Sequence, residues 1–411
     1  MTKEIALPTR YQLKETPVSL SLRWSLVLAL GLLPVYTFAS GGFQVVDLPL
    51  VLLILLSFYL PNTNDIYARQ VKRLLPFISW ALLVNITYFV IYGDMGYLRA
   101  VIIITYTLLL LFFFMKIYQS ILDQNKVIYI YLGLFLSILL TFVTKGPPDE
   151  EDRAVLSFNN ANQLGYFAAI MLAYAIILLK YKEITNNNKP ILFLFDGILV
   201  FFAHLFLLYA VSRSAMAAFF ILDLCLLKGL RNIKIISAII ICIILMAGYV
   251  LIFNPHFITQ RLEVRDPSHY SREEMVQGLD SRVMGPVRRM SGLHYLFGKG
   301  QMGVFSYQGV GGGGPRSYGG ESHNVFGEIF RGYGAIGLLL FLVWLFKAVW
   351  ISRVLPEALW VWAGLLMYNI GNYGFRFRAF WIVLALMMVV CRMAATMKRQ
   401  NSPAAPSAPG T

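Results

Sequence analysis

Apolar stretches of about 20 residues recur along most of the chain, separated by short polar turns. Each is long enough to cross a hydrocarbon layer of roughly 30 Å as a helix. The pattern predicts twelve spans, near residues 19–38, 43–60, 74–92, 97–117, 126–144, 162–181, 191–211, 214–228, 233–253, 324–346, 355–372 and 377–396. The expected fold class is therefore an all-α polytopic membrane protein of about twelve transmembrane helices. Residues 1–253 carry nine spans, residues 254–323 form a large polar loop, and residues 324–396 carry the last three. Residues 397–411 form a tail, Pro/Ala/Ser-rich from Asn401 onward and expected to be disordered. The first span does not read as a cleavable signal, because its apolar region is too long and Thr37-Phe38-Ala39 is a poor cleavage site. Neither internal duplication nor heptads are visible.

Composition agrees with this class. The 411 residues are 58% hydrophobic and only 14% charged, where soluble domains carry about a quarter charged residues, and mean hydropathy is +0.65. The net charge of +14 is spread over many loops, so it reads as topology signals and anionic-lipid contacts rather than a nucleic-acid surface. Cys225, Cys242 and Cys391 all fall inside apolar stretches, which predicts buried thiols and neither a disulfide framework nor a zinc site.

Charge also sets an expected orientation. Lys3, Arg10, Lys14, Arg69, Lys72, Arg73, Lys116, Lys126, Lys180, Lys182, Lys189, Lys228, Arg231, Lys234, Lys347, Arg353, Lys398 and Arg399 fall on one side. The short loops of the other side hold Asp94, Lys145, the acidic run Asp149 to Asp152, Arg153, Arg213, Arg376 and Arg378. The positive-inside rule puts both termini in the cytoplasm and the 254–323 loop on the outer face. The acidic run reads as a solvated turn rather than a metal site.

That loop holds Arg261, Arg265, Arg272, Arg282, Arg288, Arg289 and Arg316, with Lys299 as its lysine. Guanidinium forks suit phosphate and diphosphate oxygens, to which they donate paired hydrogen bonds. An outward Arg-rich loop on a membrane protein points to a phosphorylated lipid handled at the outer leaflet. The glycine run Gly309 to Gly314 cannot hold a regular helix and reads either as a flap over a site or as plain surface.

Four positions bear candidate chemistry. Ser212-Arg213-Ser214 makes a tight turn before an apolar stretch of only about 14 residues, or roughly 20 Å. Arg213 is then either recessed toward an anion or snorkels to headgroups. Asp280-Ser281-Arg282, followed by Arg288 and Arg289, is either a second fork for a diphosphate or solvated loop charge. Glu321-Ser322-His323-Asn324 opens a span on the outer face. There His323 is placed to accept a proton from a hydroxyl, unless the segment serves only as a helix start capped by Ser322 or Asn324. Glu328 and Arg331 follow at a spacing that pairs them on one helix face, either supporting His323 or forming a structural ion pair. Phe158 to Gln163, with Asn159 and Asn162, offers amides for sugar hydroxyls or for capping. His204, within an apolar span, reads as a satisfied packing residue.

In this order the pieces resemble the bacterial O-antigen ligase and O-antigen polymerase superfamily. The pattern is an Asn-containing span opening (Phe158 to Gln163), Ser-Arg-Ser (Ser212 to Ser214), Ser281-Arg282 followed by Gly298-x-Gly300, then His323-Asn324, Glu328 and Gly334-x-x-Gly337. The match runs from about residue 155 to 345. The resemblance implies a C-type glycosyltransferase architecture and metal-independent, cofactor-free transfer of a glycan from undecaprenyl diphosphate to an acceptor hydroxyl. It implies that Arg213 and Arg282 bind the diphosphate and that His323 acts at the acceptor. The family usually has an aromatic residue about three positions after the loop arginine; Gly285 stands here, so Arg288 and Arg289 compete with Arg282. The expected place is the bacterial inner membrane, with the active site periplasmic. The expected partners are the lipid-linked glycan, membrane lipids, an acceptor glycan or a lipid A–core, and possible association with a chain-length regulator. A polymerase of O-antigen or exopolysaccharide repeat units is favoured over a ligase. A transporter or flippase of the same lipids is disfavoured because neither repeats nor broken helices are visible, and a scaffold predicts little effect from charge removal at Arg213 and His323.

Overall fold

A computed structural model describes residues 17–35, 44–60, 65–144, 156–158, 161–187, 189–210, 212–229, 290, 292–301, 324–372 and 374–400. Among the described residues there are twelve α-helices and no strand: α1 (Pro17–Gly31), α2 (Asp47–Ser57), α3 (Asp65–Tyr92), α4 (Met95–Asp123), α5 (Ile128–Val143), α6 (Ala161–Thr185), α7 (Pro190–Ala210), α8 (Arg213–Gly229), α9 (His294–Phe297), α10 (Val325–Ser352), α11 (Pro356–Gly371) and α12 (Arg378–Gln400). A 3-10 turn, Gly374–Arg376, links the last two.

Six of these helices, α3, α4, α6, α7, α10 and α12, are long and apolar enough to cross a membrane. The chain is a membrane-embedded helical protein on that ground. Other expected spans are realised as shorter helices: α1 has 15 residues, α2 has 11 and α5 has 16. α1 stops at Gly31 although the apolar run continues, because Pro34 biases the residue before it away from helical backbone and supplies no amide donor. The span expected at 233–253 lies outside the described residues. α12 runs to Gln400, four residues past its expected end.

α6 is the central helix. From Leu164 to Leu178 it is buried on every side, which its small residues permit: a side chain added at Gly165 would come within 2.9 Å of the Ala215 Cβ in α8. α7, α8, α11 and α12 pack around it. Helices alternate in direction. In the first half of α1, Arg23 donates to Gln124 just beyond α4 at 2.6 Å. Near the end of α6, Lys180 pairs with Glu357 at the start of α11 at 3.1 Å. Arg213, the start of α12 and the start of α6 therefore share the opposite end of the bundle.

Two charges expected in loops are paired within the protein, one buried and one half-buried. Lys182 is 0% exposed because α6 continues past residue 181 and folds against α7. Its ammonium pairs with Asp196 and donates to the Leu192 carbonyl at 3.1 Å, and Asp196 accepts from the Tyr131 hydroxyl at 2.5 Å. Arg378 grips Asp47 through two 2.7 Å contacts, and Asp47 also accepts from the Tyr106 hydroxyl at 2.9 Å. A charge withdrawn from water persists where an opposite charge and further hydrogen bonds satisfy it. Cys225 and Cys391 are buried thiols, as expected. His204 is satisfied as expected, with Nδ1 2.8 Å from the Val200 carbonyl and Nε2 3.4 Å from Asp223.

The sequence showed no broken helix, yet α10 is one. Gly334 sits at φ 67°, ψ −171° inside it, a backbone region that only glycine occupies readily. The Phe326 and Phe341 rings lie 6.4 Å apart, whereas 15 residues of straight helix would separate them by roughly 22 Å. The chain therefore bends sharply at Gly334, and the two limbs of α10 form a V.

Candidate functional site

The apex of this V is held by the other glycine pair. Residues 298–301 lie along it: Lys299 N donates to the Arg331 carbonyl at 2.9 Å and Gly300 N to the Gly332 carbonyl at 2.9 Å. Gln301 N donates to Asn85 Oδ1 at 2.9 Å, and the Tyr88 hydroxyl donates to the Gly298 carbonyl at 2.9 Å. Gly298 shares the backbone region of Gly334, at φ 81°, ψ −176°. A side chain on Gly298 would overlap the Gly332 carbonyl, and one on Gly334 would overlap that of Leu296. The two sequence motifs thus interlock as a clasp between the 292–301 segment, α3 and α10. Non-helical backbone beside an apolar span is tolerated where its polar groups are satisfied by protein, and here the amides of residues 298–301 and the Gly298 carbonyl are.

The first limb of α10 starts at Asn324, whose Oδ1 accepts from Phe326 N at 2.8 Å and Gly327 N at 3.4 Å. Asn324 is thus a helix cap. Glu328, 3% exposed, accepts from Arg331 at 2.9 Å, so the i,i+3 pair read from the sequence forms.

Arg213 opens α8 and is exposed, with no ion pair among the described residues. Ser212 is buried, and its hydroxyl lies 3.2 Å from that of Ser214. The Ser214 hydroxyl in turn accepts from Asn372. Through Gly165, the start of α6 packs directly on the start of α8, and the Asn162 carbonyl accepts from the Tyr368 hydroxyl at 2.7 Å. Two helix N-termini, each carrying partial positive charge, therefore stand side by side next to a guanidinium. That arrangement favours an anion.

The wall behind it was missed from the sequence. The Tyr166 and Tyr368 rings stack at 4.0 Å, and Asn369 donates to the Tyr166 hydroxyl at 3.0 Å. Asn369 Oδ1 is buried and accepts no hydrogen bond among the described residues. Asn369 and Asn372, three apart at the end of an apolar helix, were the available signal. The chain matches no protein-family model, and no curated protein matches it.

The 3-10 turn joins the two clusters. Gly374 abuts Tyr166 and Asn369 on one flank, while Phe375 meets Phe341 of α10 at 5.4 Å on the other. Ser212, Arg213, Ser214 and Asn162 are thus brought together, and Asn324, Glu328 and Arg331 belong to the neighbouring cluster. Asn159, Arg282, Arg288, Arg289 and His323 lie outside the described residues.

Proposed function

We propose that the chain is a membrane glycosyltransferase that moves a glycan from undecaprenyl diphosphate to an acceptor sugar hydroxyl, polymerising O-antigen or exopolysaccharide repeat units. The observation that carries this reading is the exposed Arg213 beside the paired N-termini of α6 and α8, which suits a diphosphate. His323, next to the Asn324 cap, takes the hydroxyl proton as the oxygen attacks the anomeric carbon. The bond from that carbon to the diphosphate breaks, and the diphosphate leaves with the electron pair. Arg213, with Arg282, Arg288 or Arg289, holds the departing anion, and attack from the opposite face inverts the configuration. No metal or cofactor takes part. The reaction occurs at the periplasmic face of the bacterial inner membrane, with both termini cytoplasmic.

The experiment is transfer by the purified chain in detergent, supplied with the lipid diphosphate-linked repeat unit. Elongated lipid-linked glycan is the expected product, and folded His323→Ala and His323→Gln variants lose it. Normal transfer by those variants removes His323 from the mechanism. A ligase, which hands finished glycan to a lipid A–core, uses the same donor, and a deletion strain separates the two. Accumulated single repeats mark a polymerase, and accumulated long lipid-linked glycans mark a ligase. The break in α10 favours a second reading, since discontinuous helices form the substrate and ion sites of many transporters. Transfer without a closed vesicle excludes an obligatory transport role.

A further inference from the structure

The end of the bundle that carries Arg213 also carries a stack of aromatic rings beside the clasp. Tyr88 and Tyr92 are one turn apart on α3, so they share a face. Their rings lie 5.7 Å apart and only 11° from parallel. Tyr97, in the first turn of α4, lies 5.5 Å from Tyr88 at 24° and 6.4 Å from Tyr92 at 26°. His294, at the start of α9, adds a fourth ring 6.4 Å from Tyr88 at 29°. The stack is tied to the glycine clasp, because the Tyr88 hydroxyl donates to Gly298. Tyr97 is 5% exposed and forms the floor, whereas Tyr92 is 64% exposed and leaves ring surface open. Beside them Asp94 uses Oδ1 to cap α4, accepting from Gly96 N at 2.7 Å. Its other oxygen makes no hydrogen bond among the described residues.

We infer that Tyr92, backed by Tyr88, Tyr97 and His294, is a glycan-binding shelf on which a pyranose ring of the acceptor stacks while Asp94 accepts from its hydroxyls. An aromatic face is electron-rich and attracts the electron-poor C–H face of a sugar, as it attracts ring edges. A carboxylate at the rim supplies the polar contact that fixes orientation. Interfacial tyrosines also occur as a membrane belt, but a belt needs only scattered amphipathic rings. Four near-parallel rings drawn from three helices instead hold Tyr92 in one orientation with its ring surface open, which suits a flat ligand. This inference deepens the transferase reading by naming an acceptor subsite.

The test uses the full chain in detergent and short oligosaccharides made by partial acid hydrolysis of the source organism's surface polysaccharide, with binding read by saturation-transfer NMR. Wild type binds. Tyr92→Leu, which keeps an apolar side chain at the interface, weakens binding by about tenfold, while Tyr92→Phe stays within about threefold of wild type because the ring remains. In the transfer assay Tyr92→Leu raises the acceptor KM and leaves the lipid-donor KM unchanged. Oligosaccharide binding that depends on Tyr92, in a chain showing no transfer, keeps the shelf and removes the transferase reading. Absence of binding by wild type overturns the shelf. So does wild-type binding by Tyr92→Leu, which would leave the ring as an interfacial anchor.

Discussion

Glycine at positions 298 and 334 does two things at once. It adopts backbone that other residues reach only at a cost, and it leaves room for a carbonyl of the opposing segment. Gly334→Ala is expected to lower stability by ~1–3 kcal/mol from backbone strain alone, before the overlap with Leu296 is counted. A fall in the detergent melting temperature checks this. Gly197 of α7 is the matched control: nothing lies within 4 Å of an added side chain, so Gly197→Ala should leave the melting temperature unchanged or raise it, by up to ~1 kcal/mol of helix propensity. At the same scale, Arg213→Ala is expected to reduce transfer by about 10²-fold or more with the fold intact, as loss of a group aimed at developing charge does. Arg213→Lys should restore little, since an ammonium lacks the guanidinium fork. Steady-state transfer rates with the lipid-linked donor measure both.

Helices show where local signals and packing part company. The apolar runs located most of the elements, but Pro34 cut α1 short and Gly334 bent α10 sharply. Hydropathy averages over both residues and registers neither. Likewise the positive-inside count treated Lys182 as a loop cation, because only the α6–α7 pairing brings Asp196 and Tyr131 to it. Lys182→Met alone should cost ~3–5 kcal/mol by stranding a buried carboxylate, while the double variant Lys182→Met, Asp196→Leu should recover most of the loss. Thermal unfolding of the two variants beside wild type tests this, and equal losses in the single and double variants would show that the pair contributes nothing through its charge.

For the molecule as a whole, the long apolar helices predict a chain that stays in the membrane pellet after alkaline carbonate extraction. The alternation of helix direction makes a further prediction. Single cysteines introduced at Asp94 and Arg213 should be labelled by an impermeant thiol reagent from one side of the membrane. Those at Lys126 and Asn187 should be labelled from the other, since Asn187 lies 2.8 Å from Asn125 at the far end of the bundle. Labelling of Asp94 and Arg213 from opposite sides would break both the bundle topology and the proposed site. The candidate site was legible in parts. Arg213 stood out as a cation in a tight turn, and Glu328 and Arg331 by their spacing. Tyr166, Tyr368 and Asn369 did not, because an aromatic or amide in an apolar helix looks the same from the sequence whether it faces lipid or a partner.

The class of the protein, the position of most helices and the Glu328–Arg331 pair follow from sequence alone, since hydrocarbon thickness and helical periodicity act on neighbours along the chain. The juxtaposed starts of α6 and α8, the clasp between residues 298–301 and the apex of α10, and the burial of Lys182 against Asp196 were decided by tertiary structure. Each depends on groups 14 to 50 or more positions apart, whose contact is set by how helices pack and not by any local preference.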